Sequence, residues 1–181
     1  RETAARASAT AENSGCEGRR PALAASFMSL TVGQDAPDFD VVASDGTRVS
    51  LQELRGKKNV VLYFYPKDFT PTCTKETCGF RDMVGTLNGG DVLVVGVSTD
   101  DDETHRRFAA EYQLTFPLIA DTKKALAKAY GAIGGLRSLL GITQRLTFVI
   151  GKDGKIANVI AAEFSADKHI AEVKATLARL A

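Results

Sequence analysis

The chain has 181 residues and a mass of 19.3 kDa, which suits one ordinary domain with a buried core and not two full domains. Its 44% hydrophobic and 25% charged residues are typical of a globular protein and exclude disordered, collagen-like and low-complexity classes. Lys and Arg number 23 and Asp and Glu 22, so the formal charge of +1 predicts neither a nucleic-acid partner nor an anionic membrane surface as a partner.

The N-terminal 27 residues differ in composition from the rest of the chain. They are rich in Ala, Ser, Arg and Gly and show no sustained apolar period, so we expect a disordered extension over 1–27. Such an extension is either the remnant of an organelle leader or a non-native addition. Cys16 lies within it and receives no functional role. The folded domain is predicted over 28–181.

Strand and helix patterns alternate from residue 37 onward. The runs at 59–65 and 91–98 are apolar on both faces, as expected of central strands that are covered on both sides. The predicted strands are 39–43, 47–50, 59–65, 91–98, 116–120, 146–150 and 155–161, and the predicted helices are 51–54, 71–87, 101–112, 122–130 and 166–180. An opening hairpin, a central mixed sheet flanked by helices, and a closing hairpin with a last helix indicate an α/β, thioredoxin-like fold.

Several kinds of site are excluded by spacing. Three cysteines are too few for a disulfide scaffold and favour a reducing compartment. The two histidines, His105 and His169, do not have the ligand spacing of a zinc site. The apolar run at 59–65 is far shorter than the roughly 20 residues of a membrane-spanning helix. The glycine-rich stretch at 131–135 lacks the context of a dinucleotide fingerprint and is interpreted as a surface loop.

The segment over 65–78 combines position and chemistry. It follows a central strand and opens a helix, and ligands bind beyond the carboxyl ends of strands in open α/β sheets. Thr70 is predicted to cap the helix and Pro71 to occupy its first position, which places Cys73 in the first turn. There the helix dipole and unpaired N–H groups favour a nucleophilic thiolate.

The second cysteine of this segment, Cys78, has two possible roles, packing or redox chemistry. Buried cysteines often act as small hydrophobes, and Cys78 fits packing against the sheet as well as a redox role. Five residues of helix separate the two Cα atoms by roughly 8–9 Å. A disulfide tolerates at most about 7 Å without backbone movement. If Cys73 and Cys78 pair, the helix must unwind; if they never pair, it can stay rigid.

Pro66-x-x-x-Thr70-x-x-Cys73 resembles the peroxiredoxin active-site motif, and Cys73-x4-Cys78 resembles the peroxiredoxin Q, or bacterioferritin comigratory protein, branch. The likeness extends from about residue 30 to the C-terminus. It implies that Cys73 is the peroxidatic cysteine and Cys78 the resolving one. It also implies that Pro66 shields the pocket from water and that Thr70 hydrogen-bonds the peroxide. Arg145, in a stretch similar to the family's Arg-x-Thr-Phe, would stabilise the thiolate.

The sequence also suggests roles for three residues close to Cys73, namely Thr72, Lys75 and Glu76. Thr72 stands where many relatives carry Gly, so its side chain is expected to narrow access for bulky hydroperoxides. Lys75 and Glu76 are expected to be solvated helix residues without a catalytic role.

The implied function is a thiol-dependent peroxidase that reduces hydrogen peroxide and organic hydroperoxides through a Cys73 sulfenic acid and a Cys73–Cys78 disulfide. Thioredoxin or a similar dithiol would recycle it, and no metal, haem or flavin cofactor is implied. The resemblance further implies a monomer, with a bacterial-type cytoplasmic location or, alternatively, a chloroplast location. A thiol-disulfide oxidoreductase or a redox sensor on the same fold stays an alternative, although Cys-x-x-Cys is absent.

Overall fold

The computed structural model describes residues 30–86, 90–133, 143–162 and 165–181. The predicted extension over 1–27, including Cys16, lies outside these ranges. The strands are β1 (Asp40–Val42), β2 (Arg48–Ser50), β3 (Asn59–Phe64), β4 (Val92–Ser98), β5 (Leu118–Ala120), β6 (Leu146–Ile150) and β7 (Ile156–Ala161). The helices are α1 (Leu51–Leu54), α2 (Pro71–Thr86), α3 (Asp102–Glu111), α4 (Ala125–Ala129) and α5 (Ala166–Leu180). Each of these elements overlaps its predicted counterpart.

Five strands form one mixed sheet in the order β5-β4-β3-β6-β7. The strands β3, β4 and β5 run parallel, whereas β6 pairs antiparallel with both β3 and β7. The strands β1 and β2 form a separate antiparallel hairpin. The predicted thioredoxin-like architecture, with its central mixed sheet and N-terminal hairpin, is therefore confirmed.

Strand β3 divides the core because all its side chains are buried and successive ones point to opposite sides. We call the side covered by the hairpin, α1 and α4 the apolar face. Its core includes Leu62, Phe64, Phe148 and Tyr130, and the aromatic rings of the last three contact one another edge-on or tilted. Burial of one such side chain contributes about 1.5–3 kcal/mol to stability.

The other side of the sheet, covered by α2, α3 and α5, is called the mixed face. Apolar side chains such as Val61, Phe80 and Val173 form its core. Gly79 lies where α2 packs against α5, and a Cβ there would lie 2.0 Å from Cδ1 of Ile170, so that side chain would have to shift. Buried polar side chains are interspersed among these apolar ones, among them Glu76, His105 and His169.

The segment after α4 corrects one prediction. The glycine-rich stretch at 131–135 is interpreted from the sequence as a surface loop, but Ala132 and Ile133 are buried in the core of the apolar face. The N–H of Ala132 donates to the carbonyl of Ala127 at 2.7 Å, which turns the chain inward at the end of α4. Residues 134 and 135 lie outside the described ranges.

In the described parts of the chain, no helix combines the length and the apolar character that crossing a membrane requires.

Candidate active site

The reactive segment lies at the carboxyl end of β3, where the chain passes through the loop 66–70 into α2. Cys73 is the third residue of α2 and is 1% exposed, with its side chain in the core of the mixed face. Both Cys73 and Cys78 are free thiols. Cys73 therefore combines the first turn of a helix with burial next to the central strand.

Arg145 is the direct partner of the Cys73 sulfur. Its Nη2 donates a hydrogen bond to Sγ at 3.0 Å, although the two residues are 72 positions apart in the chain. The sheet register explains the meeting, because Leu146 pairs with Phe64 and thereby places the start of β6 beside the end of β3. Arg145 is 4% exposed, so its positive charge acts on the sulfur with little screening by water.

Glu76 is the second partner of Arg145 and overturns the expectation that it is solvated. It is fully buried, and its Oε2 accepts a hydrogen bond from Nη1 of Arg145. The buried stripe of α2 consists of Cys73, Glu76, Thr77, Phe80 and Met83. This spacing is the core-facing period of a helix, and it could have identified Glu76 from the sequence. Lys75 is exposed and pairs with Asp167 of α5 at 2.5 Å, as expected of a solvated residue.

Burial and charge act in opposite directions on this pair. Burial raises the pKa of Glu76 to about 7, although the nearby guanidinium of Arg145 opposes the shift. Burial alone would lower the pKa of Arg145, but the negative charges of Glu76 and Cys73 outweigh it and raise that pKa above its usual range. Arg145 is therefore a permanent cation between two acidic groups.

His169 of α5 lies behind Glu76. Its Nδ1 is 2.7 Å from Oγ1 of Thr147 and 3.4 Å from Oε1 of Glu76, and its Nε2 lies 3.0 Å from the carbonyl of Ala162. A carbonyl only accepts, so Nε2 carries the proton and Nδ1 accepts from the Thr147 hydroxyl. Burial lowers the pKa of His169 to about 4, which keeps the ring neutral at neutral pH.

The remaining predicted residues lie around this centre. Pro66 and Thr70 are half-buried on the loop that leads into α2. The Thr70 hydroxyl donates to the carbonyl of Lys67 at 3.1 Å. The Thr70 carbonyl accepts the N–H of Thr74 at 2.9 Å and begins the hydrogen bonding of α2. Thr72 is half-buried in the same first turn.

Cys78 is half-buried and lies on the same continuous helix as Cys73. The unbroken helix keeps the two cysteines in the arrangement that the sequence predicts, too far apart for a disulfide. Within the described residues, no group of three His, Cys, Asp or Glu side chains is arranged to hold a metal ion. The chemistry available at the site is that of a buried sulfur beside a guanidinium.

Comparison with known proteins agrees with this geometry. Residues 32–159 match the model of the AhpC/TSA family. A Coxiella burnetii protein named as a bcp peroxiredoxin is 42% identical over 150 residues, which cover 81% of this chain and 97% of that protein. The chloroplastic peroxiredoxin Q of Populus jackii is 38% identical over 146 residues, which cover 81% of this chain and 67% of that protein.

A solved structure shares the fold. The crystal structure of peroxidoxin BcpB from Mycobacterium tuberculosis superposes with a TM-score of 0.75 at 36% identity. The match covers 84% of this chain and 99% of that structure.

Proposed function

The chain belongs to the AhpC/TSA family as a thiol peroxidase of the peroxiredoxin Q or Bcp type, and on this premise we propose that Cys73 is the residue that attacks the hydroperoxide. The observation that carries the proposal is the 3.0 Å contact from Nη2 of Arg145 to Sγ of Cys73. A guanidinium at this distance stabilises the negative charge of a thiolate, which is the nucleophilic form of cysteine.

The first step is a two-electron transfer from sulfur to peroxide. The Cys73 thiolate attacks one peroxide oxygen, an S–O bond forms, and the O–O bond breaks. The leaving oxygen takes a proton and departs as water or as an alcohol, and Cys73 becomes a sulfenic acid. Arg145 would stabilise the charge that develops on the leaving oxygen, Thr70 would hydrogen-bond the peroxide, and Pro66 would keep water out of the pocket.

The second step joins the two cysteines. The Cys78 thiolate attacks the sulfur of the Cys73 sulfenic acid, the S–O bond breaks, and water leaves as the disulfide forms. The continuous helix α2 holds the two Cα atoms roughly 8–9 Å apart, beyond the span of a disulfide. This step therefore requires the first turns of α2 to unwind, and Cys78 acts as the resolving residue within one chain.

The enzyme needs a thiol reductant, and we propose thioredoxin or a similar dithiol protein. One of its thiolates would attack the Cys73–Cys78 disulfide to form a mixed disulfide and release one cysteine. Its second thiolate would then displace the other cysteine, so that both cysteines are reduced and the dithiol protein is oxidised to a disulfide. An intramolecular disulfide needs no second subunit, which supports a monomer. We place the protein in a bacterial-type cytoplasm, with the chloroplast as the alternative, because its relatives include a Coxiella protein and chloroplastic plant proteins.

The proposal also includes the division of the chain into an extension over 1–27 and a peroxidase domain over 28–181, which the family match over 32–159 supports.

Rapid mixing tests the assignment of the cysteines. The fully reduced chain is mixed with one equivalent of hydrogen peroxide, quenched at short times, and mapped by peptide mass for Cys16, Cys73 and Cys78. We expect Cys73 to be oxidised first and a Cys73–Cys78 disulfide to follow. Oxidation that begins at Cys16 or Cys78 would overturn the assignment, and slow oxidation at every cysteine would favour disulfide exchange as the function.

A further inference from the structure

A second cluster of buried polar side chains lies next to the loop 66–70 and is distinct from the Arg145 and Glu76 pair beside Cys73. It consists of Tyr65, Asp68 and His105, which are all at most 2% exposed. They come from the end of β3, from the loop itself and from the first half of α3. Neither the two-cysteine chemistry nor the Arg145 contact makes use of them.

Asp68 is the centre of this cluster. Its Oδ1 accepts a hydrogen bond from the Tyr65 hydroxyl at 2.7 Å, and its Oδ2 accepts one from Nδ1 of His105 at 2.7 Å. The backbone N–H of Asp68 donates to Oδ2 of Asp100 at 2.8 Å. Both the side chain and the backbone of this loop residue are thus fixed to groups outside the loop.

The cluster also has the connectivity of a hydrolase triad, but it does not act as one. Oγ of Ser98 lies 3.4 Å from Nε2 of His105, which in turn is bonded to Asp68. The Ser98 hydroxyl, however, donates to Asp100 at 2.8 Å, and Ser98 is 1% exposed. A hydroxyl that is buried and already bonded to a carboxylate is neither activated by His105 nor within reach of a substrate.

The loop that the cluster holds has a strained backbone. Phe69 has a φ of 59°, a conformation that a non-glycine residue keeps only where its surroundings enforce it. Its ring packs 5.1 Å from Phe108 and 6.3 Å from Tyr112, between centroids, and Arg107 lies over it. The loop is thus held by the hydrogen bonds of Asp68 and by the packing of the Phe69 ring against α3.

Thr70 follows directly after Asp68 and Phe69. Its hydroxyl bonds back to Lys67 within the loop, and its carbonyl accepts the N–H of Thr74 in α2. The position of Thr70 and of the first turn of α2 therefore depends on how firmly Asp68 and Phe69 are held.

We propose that Tyr65, Asp68 and His105 are positioning residues for the attack on peroxide, an inference that rests on the proposed function of Cys73. They fix the loop so that Thr70 and the first turn of α2 face the incoming peroxide. None of the three belongs to α2, so the support persists while that helix unwinds and guides its return. A displacement of the loop slows the first step but not the formation of the disulfide.

A matched pair of tyrosines tests this proposal. Tyr65→Phe removes the hydroxyl that donates to Asp68, and Tyr130→Phe removes one that donates to the Pro37 carbonyl, also at 2.7 Å, on the apolar face. Both tyrosines are at most 1% exposed, so each variant removes one hydroxyl from a buried hydrogen bond. The chain has no tryptophan, so quenched flow with intact mass, and not intrinsic tryptophan fluorescence, follows the thiol, sulfenic and disulfide forms.

We expect Tyr65→Phe to lower the second-order rate constant of Cys73 oxidation by about tenfold, the scale of a slightly misplaced reacting group, and Tyr130→Phe to leave it unchanged. The first-order rate of disulfide formation stays equal in both variants and in the wild type. Equal oxidation rates in the two variants would overturn the proposal. A matching decrease in both steps of Tyr65→Phe would also overturn it, because that result indicates general destabilisation.

A substitution at His105 supplies the second measurement. Asn places an amide N–H where Nδ1 of the histidine lies, whereas Leu offers no donor to Asp68. His105→Asn should retain most of the oxidation rate and His105→Leu should lose about tenfold or more. Equal rates in the two variants would contradict a positioning role. Peroxide consumption that survives Cys73→Ser would instead contradict the proposed function, so the two failures are distinguishable.

Discussion

The two faces of the central sheet are built from the same strands but bury different chemistry. On β6, the side chains of Phe148 and Ile150 lie in the apolar face. Those of Thr147 and Val149 lie in the mixed face, as does the side chain of Arg145, the residue just before the strand. Within the described residues, the acidic, basic and histidine side chains that are at most 4% exposed all lie at the mixed face: Asp68, Glu76, His105, Arg145 and His169.

The difference shows how one small domain separates stability from reactivity. Burying apolar side chains stabilises the fold directly, whereas buried ionisable groups are costly unless each has a partner. The apolar face therefore supplies stability through buried apolar side chains. The mixed face instead holds the Cys73 sulfur beside the Arg145 guanidinium, an arrangement that costs stability but provides reactivity. Substitutions on the two faces should separate in the same way.

The largest effect is expected at the sulfur itself. Cys73→Ser should abolish peroxide turnover, because a hydroxyl at neutral pH is not a nucleophile comparable to a thiolate. Its control is Cys78→Ser, which should consume one equivalent of peroxide rapidly and then stall without an added thiol. Peroxide consumption without added thiol measures the first equivalent, and steady-state consumption with a thioredoxin system measures turnover. Turnover of Cys78→Ser at the wild-type rate would show that another thiol resolves the sulfenic acid.

The largest effect on stability is expected on the apolar face. Phe148→Ala removes a fully buried ring that contacts Phe64 and Tyr130, so the free energy of unfolding should fall by about 3–5 kcal/mol. Denaturant titration measures the loss. The oxidation rate of Cys73, measured well below the unfolding transition, should stay close to that of the wild type. A large drop in that rate would show that the two faces are not separate.

A subtler change on the mixed face should act on rate more than on stability. Arg145→Lys keeps the positive charge but loses the planar fork that contacts Cys73 and Glu76 together, so the oxidation rate should fall by about 10²-fold. Arg48→Lys is the matched control, because Arg48 forms exposed ion pairs with two carboxylates of the hairpin region. Equal rates in the two variants would remove Arg145 from the proposed mechanism.

The Glu76 and His169 pair should give opposite dependences of stability on pH. Burial raises the pKa of Glu76 to about 7, so its contribution to stability is present below pH 4.5 and lost as the pH rises through 7. Burial lowers the pKa of His169 to about 4, so its contribution is present above pH 6.5 and lost as the pH falls through 4.

Replacing one of the two groups should remove its own contribution to the pH dependence of the free energy of unfolding. In Glu76→Gln the free energy of unfolding should fall by up to about 3 kcal/mol between pH 6.5 and 4, relative to the wild type. In His169→Asn the free energy of unfolding should instead rise over the same range, relative to the wild type. Denaturant titrations at several pH values measure both. Parallel pH profiles in the two variants would contradict the opposite shifts.

The smallest effect is expected from one hydrogen bond on β6. Thr147→Val is nearly isosteric and removes the hydroxyl that donates to His169, which should lower the free energy of unfolding by about 1 kcal/mol. Thr147 and Phe148 are neighbours on β6 but lie on opposite sides of the sheet. Denaturant titration of the two variants therefore compares the loss of stability on the mixed face with that on the apolar face. A loss as large as that of Phe148→Ala would show that the polar contacts carry more of the stability than we infer.

Local sequence patterns predict most of the fold and part of the site. The apolar run of β3 and the cap-like residues before Cys73 locate the reactive turn from its immediate neighbours. Arg145 required the family resemblance, because its contact with Cys73 depends on the antiparallel register of β6 and β3. The prediction that Glu76 is solvated is wrong because its spacing on α2, and not its charge, determines that it faces the core.

The cluster of Asp68 and His105 could not be predicted from local patterns. The two residues are 37 positions apart, and their contact depends on α3 packing beside the loop. The surface-loop prediction is wrong at Ala132 and Ile133 for a similar reason, because a glycine-rich composition does not determine how the chain turns after α4. Contacts between elements, and not the elements themselves, are what the sequence leaves open.

The winding of α2 has a consequence for redox equilibrium. If the proposed Cys73–Cys78 disulfide forms by unwinding the first turns of α2, the contacts of Glu76 with Arg145 and of Thr77 with Tyr63 in those turns are lost. They therefore stabilise the dithiol relative to the disulfide and make the reduction potential of the cysteine pair more positive. Each 1.4 kcal/mol held in these contacts corresponds to about 30 mV for a two-electron couple. The folded helix thus favours reduction of the disulfide by an external dithiol.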